Sequence, residues 1–322
     1  MSESRALGAL YGLAIGDALG MPTQTLSRER IAALFGTLDD FEPGPPENEI
    51  SAGLPAGRVT DDTDQALIVA QALIDGEGEV DRHALADALL AWEQRMADAG
   101  SLDLLGPSTR RALERFSAGD IETAGRWGDT NGAAMRIAPV GIATPPRPLE
   151  RLLARVAHTS RLTHDTSVAV AGAAAVAAAV SAGVDGADGA DALAAGVEAA
   201  RRGASYAPYV AGADVARRIE WAVGLDALDD VYELVGTGVA TQEAVPAAFA
   251  IAARHPQDPW QACLTAAGLG GDTDTIAALA GAIVGSTAGV DRLPAVAIER
   301  IRRVNDLDLE GVASGLLALR AS

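Results

Sequence analysis

Apolar residues along this chain recur three and four positions apart, the spacing of one helix face. Leu7, Leu10, Ala14 and Ile15 predict a helix over residues 4–20, ending in Gly16-Asp17-Ala18-Leu19-Gly20 before Pro22 blocks continuation. Ser27 is placed to cap a short helix to Phe35. Further helices are expected from Asp61 to Ile74, from an Asp81 cap to Met96, from Ser108 to Phe116, and from Pro148, read as a first helical residue, to His158. The series continues over 165–183, 190–202, 212–223, 226–236, 242–254, 259–267, 275–287, 293–304 and 309–319, with Asp258-Pro259 as a cap and first-turn pair. No sustained run of β-branched alternation bounded by turns occurs, so strands are expected to be few or absent. Residues 37–58 hold Pro43, Pro45, Pro46 and Pro55 and read as one long ordered loop. No longer linker divides the chain, and the pattern predicts one all-α domain over residues 1–322.

Composition narrows this picture. Hydrophobic residues make up 49% of the 322 positions, enough for a sizeable core, but aromatics only 4%, so alanine fills much of that core and favours helix. The stretch from Thr166 to Val184 is uncharged and about long enough to span a bilayer. It is mostly Ala with Gly and Ser, which favours a buried helix and no membrane partner. The net charge of −19, with all basic residues Arg and no basic run beyond Arg300 to Arg303, argues against nucleic acid as a partner. The single cysteine, Cys263, excludes an internal disulfide and a cysteine metal site. Acidic Glu3 and the lack of a basic n-region argue against a signal peptide, so a cytoplasmic location is expected.

Two stretches concentrate the chemistry. Val59-Thr60-Asp61-Asp62-Thr63-Asp64 and Gly270-Gly271-Asp272-Thr273-Asp274-Thr275 each stand at the mouth of an apolar helix. Asp and Thr before a helix are ordinary caps, favoured by the free amides and the dipole. One cap needs one side chain, however, and each cluster stacks several. Packing Asp61 beside Asp62, or Asp272 near Asp274, costs repulsion unless a cation neutralises it. Carboxylate and hydroxyl oxygens without Cys suit Mg²⁺, Mn²⁺ or Ca²⁺. If the fold joins the clusters, they have donors for two ions about 3.5–4 Å apart, able to activate water and orient substrate oxygens.

These motifs resemble the ADP-ribosylglycohydrolase family. The resemblance rests on Gly8-Ala9-Leu10-Tyr11-Gly12-Leu13-Ala14-Ile15-Gly16-Asp17-Ala18-Leu19-Gly20, then Thr60-Asp61-Asp62-Thr63, Asn131-Gly132-Ala133-Ala134-Met135-Arg136, Leu162-Thr163-His164, and Gly270 to Ala277. Each is weak alone; five in family order, over about residues 8–285, are specific. The resemblance implies an all-α, single-domain orthogonal helical bundle with a dinuclear Mg²⁺ or Mn²⁺ cleft. It implies metal ligands at Thr60, Asp61, Asp62, Asp272, Asp274 and Thr275, with Asp61, Asp62 and Asp274 carrying catalysis. The implied reaction is hydrolysis of the glycosidic bond at the anomeric carbon of the distal ribose, on an ADP-ribosylated protein or a ribosyl small molecule. Asp129, Asn131, Gly132 and His164 would line the substrate pocket, while Asp17 has two readings: it orients the metal site, or it caps the loop after it. His83, His158 and His255 fall outside the motifs.

Two departures bear on substrate. The family commonly has Glu four residues after Gly-Asp-Ala-Leu-Gly, and this chain has Gln24, which neither accepts a proton as a base nor donates one as an acid. Glu47 and Glu49 on the Pro-rich loop are stand-ins to weigh against a reading as solvated loop charges. Asp129 adds a charge where phosphates would lie. Both leave room for an N-ribosyl or nucleoside-type substrate without the diphosphate, or for a binding protein without catalysis.

Overall fold

Glycines four apart set the frame of the molecule. A spacing of four puts side chains on one helix face, so Gly8, Gly12, Gly16 and Gly20 form a bare stripe along the helix Ser2–Gly20. Gly285, Gly281 and Ala277 form the matching stripe on the helix Thr273–Ala288. A Cβ at Gly12 would lie 2.1 Å from the Gly281 carbonyl oxygen, and one at Gly281 would lie 2.1 Å from that of Gly12. At Gly16 the same test meets the Ala277 oxygen at 2.1 Å. The two backbones therefore touch, which no larger residue permits. At the end of the stripe Gly20 abuts Asp274, whose Cα would be 2.4 Å from a Cβ there. This contact delivers the end of the first helix to the second acidic cluster.

The computed structural model describes residues 2–102 and 105–321, and among these the only β pairing is an isolated bridge, Thr130 to Ala240. The alanine-rich helix Ser167–Asp185 is buried from Ser167 to Val184. Its apolar window has a mean hydropathy of 1.9 and is wholly enclosed by protein, so it is a core helix. Helices Ala138–Ala143, Leu149–Ser160 and Gly189–Gly203 pack around it. One hydrophobic core runs from Ala6 to Leu316.

Several expected boundaries move for identifiable reasons. The helix expected from residue 275 begins at Thr273, which puts Asp274 and Thr275 in its first turn. Pro148 is the cap residue of Leu149–Ser160, with extended ψ of 141°, and not its first helical residue. The segment expected to be one helix over 226–236 is a short turn, Leu228–Asp230, running into a π turn, Val231–Val235. After the glycine-bearing loop come two short helices, Gly132–Met135 and Ala138–Ala143, too brief for periodicity to reveal. Residues 37–58 contain no helix, yet Asn48 orders them from within. Its Oδ1 accepts from the amides of Ile50 (3.1 Å) and Ser51 (3.3 Å), and its Nδ2 donates to the carbonyl of Gln24 at 2.8 Å.

Candidate active site

The fold brings the two acidic clusters face to face. The helix Asp61–Asp75 starts against the start of Thr273–Ala288, and Thr275 Oγ1 donates to Asp62 Oδ2 at 3.2 Å. The cleft between them, about 170 Å³, is lined by Asp61, Asp62, Asp272, Asp274 and Thr275, with Gln24, Asn131 and Gly132 on its walls. Ile50, Leu102 and Val239 also line it, and Leu102 and Val239 are exposed. A larger groove of about 610 Å³ lies beside Ala178 and Ala182, but no cluster of buried acids faces it. Chemistry, not size, picks out the smaller cleft.

Asp17 positions the first cluster. It is fully buried near the end of the first helix. Its carboxylate accepts from the Thr60 amide (3.0 Å), the Thr60 hydroxyl (2.8 Å), the Thr63 amide (3.1 Å) and the Thr63 hydroxyl. A carboxylate beneath a helix N-terminus is favoured by the dipole and by charge-assisted hydrogen bonds. These bonds orient the Thr60–Thr63 turn, and among the described residues none of the side-chain bonds goes to the loop after the first helix. Burial nonetheless outweighs these bonds and raises its pKa to about 6. Thr60 stands behind the cleft wall, 1% exposed, donating to Asp17 and accepting from the Asp62 amide at 3.3 Å.

The second cluster is positioned by backbone. Gly270 and Gly271 have φ of +91° and +86°, a region L side chains avoid. Gly271 exchanges bonds with the neighbouring strand of chain: Thr25 N donates to its carbonyl (2.6 Å) and its amide donates to Leu26 O (2.9 Å). The Asp272 amide donates to Thr237 O at 2.7 Å, and the Asp272 carboxylate accepts from Asn131 Nδ2.

The electrostatics are those of crowded acids. The pKa of Asp62 is raised well above the usual range, first by burial, then by the charges of Asp274, Asp61, Asp17 and Asp272. Its Oδ1 is buried with no hydrogen-bond partner among the described residues, an arrangement costly for a carboxylate. Burial also raises Asp272, against bonds from Asn131, Thr275 and Asp274 that lower it. Hard oxygen donors, an orphaned carboxylate oxygen and mutual repulsion fit divalent cations. Among the described residues no three His, Cys, Asp or Glu side chains form a ready-made ligand set, so that fit rests on donor chemistry and includes the threonine hydroxyls.

Two expected pocket residues are placed elsewhere than the sequence suggested. Asp129 is exposed and is not among the residues lining the cleft, and its carbonyl is held by Thr241 N (3.3 Å) and Thr241 Oγ1 (2.8 Å). His164 is fully buried behind the cleft wall, its Nε2 3.0 Å from Thr130 Oγ1 and its Nδ1 2.8 Å from Thr163 Oγ1. Burial and the charges of Arg136 and Arg111 hold it well below the usual imidazole range, hence neutral. A Cβ at Gly132 would come within 2.8 Å of His164 Cε1, so the glycine is needed where the ring supports the loop. Glu47 and Glu49 are exposed and line no part of the cleft, as their reading as solvated charges requires. Gln24 does line it, only 6% exposed, with Nε2 lacking a partner among the described residues. Sequence reasoning missed Gln65, Arg136 and Thr130. Gln65 carried a signal, since it lies one turn after Asp61 and its Nε2 donates to Asp61 Oδ2 at 2.7 Å.

Comparison with known proteins agrees with this geometry. The family model for ADP-ribosylglycohydrolase matches residues 1–322. The Escherichia coli K12 protein YegU is 36% identical over 99% of this chain and 98% of its own length. ADP-ribosylarginine hydrolase Tri1 of Pseudomonas putida is 30% identical over 92% of this chain and 74% of its own. A solved structure titled ADP-ribosylglycohydrolase-related protein complex superposes with a TM-score of 0.76 at 28% identity, covering 99% of this chain and 98% of the other. The paired acidic helix starts, the all-α frame that joins them and a family match across the whole length together place this chain in the ADP-ribosylglycohydrolase family, a family of hydrolases.

Proposed function

We propose that this protein hydrolyses the glycosidic bond at the anomeric carbon of the distal ribose in an ADP-ribosyl adduct, using two divalent cations, Mg²⁺ or Mn²⁺. The observation that carries the reading is Asp62. It belongs to the first cluster and meets the second, accepting from Thr275 across the cleft, with Oδ1 buried and, among the described residues, unpartnered among like charges. Asp61, Asp62, Asp272, Asp274 and Thr275 would hold the ions from the cleft surface. Thr60 would join them through the hydroxyl lone pair its two hydrogen bonds leave over. Bound there, the cations would supply Lewis acidity and neutralise the carboxylates.

The chain's own residues do the rest. A volume of about 170 Å³ is below the roughly 300–1,000 Å³ of pockets that enclose a drug-sized ligand. The cleft therefore takes the ribosyl unit and leaves the remainder of the substrate against the Leu102 and Val239 rim. Gln24 is held by its backbone, bonded to Gly20 O at 2.9 Å and to Asn48 at 2.8 Å, and offers an amide donor to a ribosyl oxygen. Proton transfer falls to carboxylates of the cleft, Asp61, Asp62 and Asp274, because an amide cannot perform it.

A second reading has its own support: among the described residues no Arg lines the cleft, where a diphosphate would lie. That favours an N-ribosyl or nucleoside-type substrate. One assay separates the two. ADP-ribosyl-arginine, an ADP-ribosyl-serine peptide, O-acetyl-ADP-ribose and a nucleoside set are offered with Mg²⁺ and with Mn²⁺, with chelator and Asp62→Asn as controls. Release of ADP-ribose, abolished by chelator and lowered at least about 100-fold in the variant, is the expected result. Cleavage of nucleosides alone would replace the first reading with the second. Absence of turnover with metal bound would leave a binding protein.

A further inference from the structure

Behind the cleft lies a buried cation held by neutral oxygens. Arg136 follows the helix Gly132–Met135 and is 1% exposed. Among the described residues its side chain donates to Gln65 Oε1 at 2.5 Å, to Thr109 Oγ1 at 3.5 Å and to Thr163 Oγ1. Burial lowers its pKa to about 10, against the charge of Asp61, so it stays charged at neutral pH. Burying a charge without a hydrogen-bonded counter-ion costs stability, so the guanidinium calls for another reason. Gln65 supplies one. A side-chain amide has an accepting end and a donating end, whereas a guanidinium only donates. Arg136 therefore takes the oxygen of Gln65 and turns Nε2 the other way, where it donates to Asp61 Oδ2 at 2.7 Å. The amide turned over would set its oxygen against a carboxylate. Gln65 is fully buried, and Thr109 and Thr163 hold the rest of the guanidinium, so the pair is fixed in this sense.

We propose that Arg136 locks the Gln65 amide as a donor to Asp61 and so holds that carboxylate in the orientation in which it binds a divalent cation. The assignment rests on the reading of Asp61 as a cation ligand and deepens it. Arg136 and Gln65 are positioning residues: Asp61 lines the cleft and they do not. Charge and geometry pull in opposite directions here. A guanidinium one amide away from Asp61 repels a cation held by that carboxylate, so loss of its charge alone would tighten cation binding. Loss of the lock weakens it, because hydrogen-bond partners behind metal ligands are worth about 10–100-fold in metal affinity. The sign of the change tells the two apart.

The test measures cation affinity, for Mn²⁺ by paramagnetic resonance and for Mg²⁺ by calorimetry, with urea denaturation in the absence of metal to report folding. The proteins are the wild type, Gln65→Glu, Gln65→Met, Arg136→Met and the double methionine variant. Gln65→Glu keeps the shape and an acceptor for Arg136, removes the donor to Asp61 and adds a negative charge. Arg136→Met removes a positive one. Both should weaken cation binding about ten-fold or more, although charge alone would tighten it in each. The double variant should bind as Gln65→Met alone does, because Arg136 acts through Gln65. Where Arg136→Met does not fold, Gln65→Glu carries the test by itself. Unchanged or tighter binding in Gln65→Glu, or methionine effects that add, overturns the assignment and leaves the cation reading standing. A wild type that binds neither Mn²⁺ nor Mg²⁺ overturns that reading and this assignment with it.

Discussion

The two acidic helix starts look alike on paper and are built in different ways. Asp61–Asp75 is held by side chains: Asp17, from another helix, gathers the amides and hydroxyls of Thr60 and Thr63. Thr273–Ala288 has no side-chain cap at Asp272. It is held by backbone, through two left-handed glycines and bonds to Leu26, Thr25 and Thr237. The difference has a reason. A second buried carboxylate under Asp272 and Asp274 would add to the charge that already raises Asp62, whereas neutral peptide groups add none. One cluster can rest on a buried acid; the pair rests on one acid and one glycine turn.

The sharpest way to break the comparison is Gly271→Ala. A Cβ there would meet Thr237 O at 2.3 Å and Thr237 Oγ1 at 2.4 Å, at a φ of +86°. A loss of about 2–3 kcal/mol of stability is expected from clash and strain together. Chemical denaturation measures it, and Mn²⁺ affinity should fall in the same variant. Asp17→Asn attacks the other start. The amide keeps the shape but turns one acceptor into a donor among the four groups that donate to it, which should cost about 2 kcal/mol at pH 7 and weaken Mn²⁺ binding. An unchanged Mn²⁺ affinity would show that Thr60–Thr63 holds its form without the acid.

A smaller effect sharpens the comparison through the wall that supplies Asn131 to Asp272. His164 beneath that wall is buried and neutral. In the unfolded chain its pKa returns to about 6.5, so below that pH the unfolded state binds one more proton than the folded one. Stability should therefore fall with falling pH, by about 1.4 kcal/mol per unit from this group. The carboxylates with raised pKa act in the opposite sense, losing stability as pH rises through about 6 for Asp17. Urea denaturation of the wild type and His164→Gln at pH 7, 6 and 5 separates the two, because only the His164 contribution disappears in the variant. The smallest effect is the control. Asp81 is an ordinary cap, accepting from His83 N (2.9 Å) and Ala84 N (2.8 Å), and it does not line the cleft. Asp81→Ala should cost about 1 kcal/mol and leave turnover unchanged.

Much of the fold was legible because helices announce themselves locally. Spacing of Leu7, Leu10, Ala14 and Ile15, caps at Ser27, Asp81 and Asp258, and Pro259 after its cap all depend on neighbours within a turn or two. Boundaries failed where local chemistry was ambiguous: Pro148 suits a cap as well as a first turn, and the π turn at Val231–Val235 has no period of its own. In the site, residue types were legible and directions were not. Asp129 and Asn131 lie two apart on one loop, yet one faces solvent and the other reaches Asp272.

By itself the sequence determined the helices, the family motifs and the presence of two crowded acid clusters, since charge density and periodicity are written in order along the chain. Only the tertiary structure decided that the clusters meet, that Asp17 serves the first one, and that His164 and Arg136 stand behind the cleft. Those facts depend on contacts such as Thr275 to Asp62, 213 residues apart, and on a glycine stripe whose meaning appears only when a second bare stripe lies against it.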